Sequence, residues 1–148
     1  MIDDPIPVTD HVSRHCRQSR LTEDGRPMPA AFHLRTEKNE NYLSVDWLEF
    51  LDSNRTNQLE AVRKIFKKRG YDVKAKDVFA VLNVDNTINY VKKNSPDKRM
   101  LSIVHQPRHQ KDSHSGIFNT NHSNMERIIA IKISESVEDI YPAKQSIL

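Results

Sequence analysis

The sequence predicts an α+β fold, a single mixed β-sheet packed by two or three helices. Three observations carry this expectation. Segments of strand character and of helical character succeed one another in the order β-β-β-α-β-α-β-α, which is not the strict alternation of a doubly wound fold. Val78-Phe79-Ala80-Val81-Leu82-Asn83-Val84 is a continuous apolar run of strand length, the mark of a strand inside a sheet. Two segments carry helix-terminus chemistry around a one-sided apolar stripe, near residues 57–69 and after Ser123.

The elements follow in chain order. Residues 1–9, with Pro5 and Pro7, read as a loose extended lead-in to a domain over 10–142, with a tail at 143–148. The alternation Val12, Arg14, Cys16 predicts a strand, and Gly25 in Thr22-Glu23-Asp24-Gly25-Arg26 supplies the positive φ of a tight reversal. Pro27 and Pro29 lead into residues 30–35, a second predicted strand, and residues 42–45 form a third. Residues 46–51 read as a helical turn capped by Ser44 or Asp46 that buries Trp47, Phe50 and Leu51. The helix over 57–69 presents Leu59, Val62, Ile65 and Phe66 on one face, with Thr56 able to cap it and Gly70 to stop it. After the 78–84 strand, Asp85 caps a short helix over 86–93 that Ser95-Pro96 ends. Residues 100–105 form another strand, followed by a histidine-rich loop to about residue 115. Ser123 and Glu126 match a capping box, and Met125, Ile129, Ile133, Val137 and Ile140 make the buried stripe of a last helix closed by Pro142.

At 148 residues the chain has the length of one domain and needs no disulfide or metal to hold its core. No apolar stretch approaches the roughly 20 residues that span a bilayer. The first ten residues hold three aspartates and no secretory pattern, and Cys16 is the single cysteine, so a cytoplasmic setting is expected. Net charge is +3, unevenly spread: residues 60–99 carry 11 basic and 5 acidic groups.

Four constellations could carry chemistry. His11 and His15 lie near one end and His105, His109, His114 and His122 near the other. On a strand, however, residues four apart are separated by roughly 13 Å, too far for one ion, so no metal and no cofactor are expected. Arg63, Lys64, Lys67 and Lys68 lie on the outer face of the 57–69 helix. They suit an acidic protein partner, or, with the rest of the basic 63–76 stretch, nucleic-acid phosphates. Cys16 and His15 would point to opposite faces of their strand, so they form no thiolate pair. Finally, Arg14, Arg35, Ser44 and Glu49 could converge if their strands are adjacent. An Arg–Ser–Glu set on a small sheet is what ADP-ribosyl transfer uses, with Arg on the pyrophosphate and Glu at the ribosyl cation. The competing structural reading pairs Arg35 with Glu37 or Glu49.

The motifs Asp10-His11-Val12-x-Arg14, Ala31-Phe32-x-Leu34-Arg35, Leu43-Ser44-Val45-x-Trp47-Leu48-Glu49, Leu82-Asn83-Val84, His105-x-Pro107 and Ser113-His114-Ser115-Gly116-Ile117 occur in that order. Their succession resembles a family of small, largely uncharacterised prokaryotic proteins with a comparable "AF-x-LR…LSV-x-WLE" block and a "PSHAGI"-like loop. Asp112 stands where that family has proline. The resemblance covers about residues 10–118 and implies an accessory component of mobile-element and defence loci, CRISPR neighbourhoods included. It also singles out Arg14, Arg35, Ser44, Glu49, His105 and His114 as polar residues for a shared site. The leading expectation is therefore a non-catalytic accessory or regulatory protein that docks an acidic partner surface. The alternatives are a small enzyme acting on a nucleotide-like or phosphorylated ligand, and a nucleic-acid-binding protein.

Overall fold

The computed structural model describes residues 4–35, 38–120 and 125–145. They form an α+β fold around one six-stranded sheet in the order β4-β5-β2-β1-β3-β6. The strands are β1 (His11–Cys16), β2 (Leu43–Trp47), β3 (Val78–Asn83), β4 (Ser102–His105), β5 (His114–Phe118) and β6 (Asp139–Pro142). The helices are α1 (Leu48–Leu51), α2 (Arg55–Lys68), α3 (Val84–Asn94) and α4 (Glu126–Glu135). Every strand pairing is antiparallel, so the sheet is not mixed. β3 lies inside it between β1 and β6, as its apolar run predicts.

Helices cover both faces. On one, α3, α4 and a short 3₁₀ turn at Pro29–Phe32 bury Phe32, Leu43, Val45, Leu82, Ile117 and Ile129. On the other, α1 and α2 bury Leu48, Leu59, Val62, Phe66, Phe79 and Val81. Each fully buried large apolar side chain contributes about 1.5–3 kcal/mol. The second cluster covers the β1–β3–β6 half of its face, and the β2–β5 half carries Ser44, Asp46 and His114 instead. That polar half-face is where the site lies.

α2 matches its sequence signals at the C-terminus and shifts at the other end. Gly70 takes φ 73°, and the bonds Gly70 N–H to Lys67 O and Tyr71 N–H to Phe66 O make a Schellman stop. Asn54, not Thr56, caps the start by accepting the Asn57 N–H. Likewise Asn83, not Asp85, caps α3.

Several expectations are corrected. Residues 29–32 form the 3₁₀ turn and not a strand, because Pro29 has no N–H for a ladder and two alanines follow it. α1 buries Leu48, whereas Phe50 is 45% exposed; Trp47 precedes the turn, and neither Ser44 nor Asp46 caps it. Residues 114–118 form β5, not loop and lead-in to a helix, with Ser115 and Ile117 turned to the first core. α4 stops at Glu135, where the Ser134 and Ser136 hydroxyls bond back to the Ile131 and Ile133 carbonyls, and Ile140 lies in β6. Ser123 lies outside the described residues, and Met125 begins α4 without a side-chain cap. The lead-in is extended but held: Ile6 is buried, Ile6 N–H bonds Ile103 O, and Pro5 bridges Val104. No helix among the described residues is long and apolar enough to cross a membrane.

Gly116 on β5 has no room for a side chain. A Cβ there would lie 2.7 Å from the Tyr42 ring and 2.8 Å from the Phe118 ring, which stack over it with centroids 4.9 Å apart. Gly116→Ala should lower stability by about 1–3 kcal/mol, read from the urea midpoint at unchanged slope.

Candidate functional site

The site begins where a ladder stops. β1 and β2 pair only at Val12↔Trp47 and Ser13↔Asp46. Beyond that point β1 stays with β3 as far as Cys16↔Val78, while β2 stays with β5 as far as Leu43↔Ile117. The seam between them opens into a cleft of about 620 Å³, walled by β1, β2, Arg35, residues 38–42, the end of α2 with Tyr71, and the 108–114 segment.

Arg14 crosses the seam. Its Nε donates to Ala31 O at 2.7 Å and its Nη1 to Ser44 O at 2.9 Å, so a side chain satisfies carbonyls that lack a ladder partner. Burial pulls this guanidinium below its ordinary pKa, yet arginine remains charged in proteins. Arg35, Arg69, Arg108 and Lys111 line the same cleft. Arg35 pairs with Glu40 at 2.6 Å, with Glu40 also accepting the Arg35 N–H. Arg69 donates to His109 O at 2.7 Å, and Arg108 donates to the Tyr42 hydroxyl.

The floor is buried and polar. Asp46 and Ser13 face each other directly across β1 and β2. Asp46 accepts from Ser113 Oγ at 3.0 Å and pairs with Lys111 Nζ at 3.6 Å, and burial raises its pKa against both partners. Lys111 is itself buried, its ammonium 5.0 Å from the Phe66 ring centre and 5.2 Å from that of Tyr71. Ser13 is 1% exposed, and its hydroxyl has no hydrogen-bond partner among the described residues.

Two histidines complete the walls, each with one ring nitrogen anchored. His15 Nε2 lies 2.9 Å from Asp77 Oδ2. Burial lowers the His15 pKa against the pull of that carboxylate. Burial raises the Asp77 carboxyl, but the Lys74 and Gln18 N–H groups and His15 together hold it below its usual range. His114 Nδ1 lies 2.8 Å from Gln106 O, and its Nε2 lies 3.3 Å from Ser44 Oγ. A carbonyl only accepts, so Nδ1 carries the proton and Nε2 accepts from the serine hydroxyl. Burial pushes the His114 pKa down to about 4, and Lys111, Arg108 and Arg69 push the same way.

Four of the six residues singled out in the sequence, Arg14, Arg35, Ser44 and His114, line this one cleft. Glu49 lies at the opposite end of β1, where it accepts the His11 N–H at 2.7 Å and meets His11 Nδ1 at 2.6 Å. The Arg–Ser–Glu set is thus incomplete in the cleft, and Glu40 is the carboxylate beside Arg35. Glu37 lies outside the described residues. His105 projects from the other face of the sheet, where Nε2 meets Asp112 O at 2.7 Å and the ring packs on Trp47 and Phe50. Lys64, Lys67 and Lys68 are exposed on α2, while Arg63 is tied to Pro142 O at 2.6 Å. Cys16 is buried on the far face with its thiol pushed up to about 11 by burial. Sequence reasoning passed over Ser13, Asp46 and Lys111. The polar alternation Ser13, His15 and Ser44, Asp46 on otherwise apolar strands is the signal that marks the first two; nothing local marks Lys111.

His114 makes stability depend on pH. Its folded pKa lies below the ordinary 6.5, so between about pH 6.5 and 4 the unfolded chain takes up a proton that the native state refuses. Stability should fall as pH falls through that window. His15 adds in the same direction, and Asp46, raised by burial, opposes it. Urea denaturation of His114→Gln from pH 7 to pH 4 should show a shallower acid-side slope than the parent; an identical slope refutes the assignment. No protein-family model, curated protein or solved structure matches the chain.

Proposed function

We propose that the protein binds a phosphate-bearing, nucleotide-like ligand in the seam between β1 and β2. The observation that carries this reading is the composition of one cleft. Arg14, Arg35, Lys38, Arg69, Arg108 and Lys111 surround a volume of about 620 Å³, against the acidic Glu40, Asp46 and Asp72. Pockets of this size hold ligands of nucleotide dimensions. Guanidinium groups match phosphate oxygens in a planar, two-pronged geometry. Tyr42, Phe66 and Tyr71 add ring faces and edges for a base. The buried, unpartnered Ser13 hydroxyl at the floor supplies a donor for a ligand oxygen, since native interiors rarely leave such a group unpaired.

Mono- and dinucleotides, NAD included, should raise the melting temperature. A ligand at a hundred times its Kd adds about 2.7 kcal/mol to the folded state. Arg108→Gln at the rim should lower affinity, and affinity should decline as salt rises. Ser13→Ala should weaken ligand binding while leaving the free protein as stable or more so, because it removes a buried hydroxyl without a partner. A flat thermal screen, with no binding by calorimetry, rejects the reading.

A second reading is favoured by the outer face of α2. Lys64, Lys67 and Lys68 are exposed there and make no ion pair among the described residues. They suit an acidic partner surface, in keeping with the accessory or regulatory role that the sequence resemblance implies. A cytoplasmic setting belongs to both readings, supported by the single buried Cys16. The triple reversal Lys64→Glu, Lys67→Glu, Lys68→Glu should abolish capture of a partner from the native host and leave the fold and ligand binding intact. Capture that is unchanged removes this surface.

A further inference from the structure

We propose that Ser44 and His114 form a nucleophile–base pair that hydrolyses a phosphodiester of a nucleotide held in the cleft; this rests on the phosphate-ligand reading above. The pair has the connectivity that such chemistry requires. Ser44 Oγ lies 3.3 Å from His114 Nε2, and the other ring nitrogen, Nδ1, is fixed on Gln106 O at 2.8 Å. That anchor sets the tautomer, leaving Nε2 unprotonated toward the serine. The Tyr42 ring packs on the imidazole in a T-shaped pair with centroids 5.9 Å apart. Both residues line the cationic cleft, and Arg14 bonds the carbonyl of Ser44 itself at 2.9 Å, which puts a fixed positive charge beside the attacking group. A guanidinium so placed stabilises the charge that gathers on phosphoryl oxygens in the transition state.

The reaction balances with water as its one co-reactant and involves no change of oxidation state. As Ser44 Oγ bonds to phosphorus, its proton passes to His114 Nε2. The bond from phosphorus to the leaving alcohol oxygen breaks, that oxygen keeps the electron pair, and it takes the proton from Nε2. Water then attacks the phosphoserine diester, giving its proton to Nε2 as its oxygen bonds to phosphorus. The phosphorus–Oγ bond breaks and Ser44 Oγ recovers the proton. Arg35 and Arg108 hold the remaining phosphate charge and Lys111 the floor of the site.

The test uses the full chain and thymidine 5′-(p-nitrophenyl phosphate), a nucleotide diester whose leaving group absorbs visible light, with thymidine 5′-phosphate as the binding ligand. The parent protein should release p-nitrophenolate. Ser44→Ala and His114→Gln should each lose about 100- to 10,000-fold in rate while retaining thymidine 5′-phosphate binding within a few-fold. Acid-quenched parent protein should carry a thymidylyl adduct on the peptide containing Ser44, and Ser44→Ala should carry none. Circular dichroism and melting temperature verify that each variant is folded; if His114→Gln is not, the Ser44→Ala rate and the adduct decide. Binding of thymidine 5′-phosphate without release by the parent overturns the catalytic pair and leaves the ligand reading standing. Release that persists in Ser44→Ala also overturns it. Absence of both binding and release overturns both readings.

Discussion

Arg14 does with a side chain what the β1–β2 ladder fails to do with backbone. The two strands share only the positions Val12↔Trp47 and Ser13↔Asp46 before they part, and parting strands expose carbonyls to a partly buried seam. Without donors there, each carbonyl loses hydrogen bonds that water would have given it. The guanidinium meets one of them, on Ser44, together with the Ala31 carbonyl of the 3₁₀ turn, and so holds that turn, β1 and β2 around an open space. The cleft is thus a defect in the sheet, kept open by the cation that neutralises its cost. Ser13, His15, Ser44, Asp46 and His114 reach it from strands, and loop residues close its rim.

The electrostatics of the cleft follow from this arrangement. Cations outnumber carboxylates around it, and most are restrained by a specific acceptor: Arg35 by Glu40, Arg69 by His109 O, Lys111 by Asp46. Restraint lowers the entropy lost when a ligand arrives. It also sets the histidines. With fixed positive charge nearby and little water, His114 stays neutral well into the acid range, so an imidazole lone pair persists where a cation would ordinarily form at mildly acidic pH.

How much of this was legible in the sequence depends on whether the determinant was local. The apolar run of β3 and the Gly70 stop of α2 are local signals, and both elements stand where they were expected. β5 carries no strand signature of its own, because its cleft-facing positions are His114 and Gly116 and its core face includes Ser115, residues that read as loop when the neighbouring strands are unknown. The end of α4 depends on hydroxyls bonding back to the helix, which an apolar stripe does not reveal. In the cleft, Arg14, Arg35, Ser44 and His114 are legible from their motifs. The Ser13–Asp46 juxtaposition required the register of β1 on β2, and Lys111 required the path of the 106–113 connection. Glu49 follows Ser44 by five residues, but β2 runs antiparallel to β1 and Glu49 sits on α1 just past the end of β2, beside His11 at the start of β1.

The ends of the sheet carry a consequence for how this protein can associate. Along β4 the chain's own residues 4–6 already take the free edge, through Asp4 O, Ile6 N–H and the bridge of Pro5 to Val104. Along β6 the outer strand is four residues long, ends in a proline that has no N–H to offer, and has the Pro142 carbonyl occupied by Arg63. Neither border offers a clean row of donors and acceptors on which a foreign strand could extend the sheet. Complex formation is thereby directed away from backbone pairing and onto side chains, where recognition is set by charge and shape and can be retuned one residue at a time.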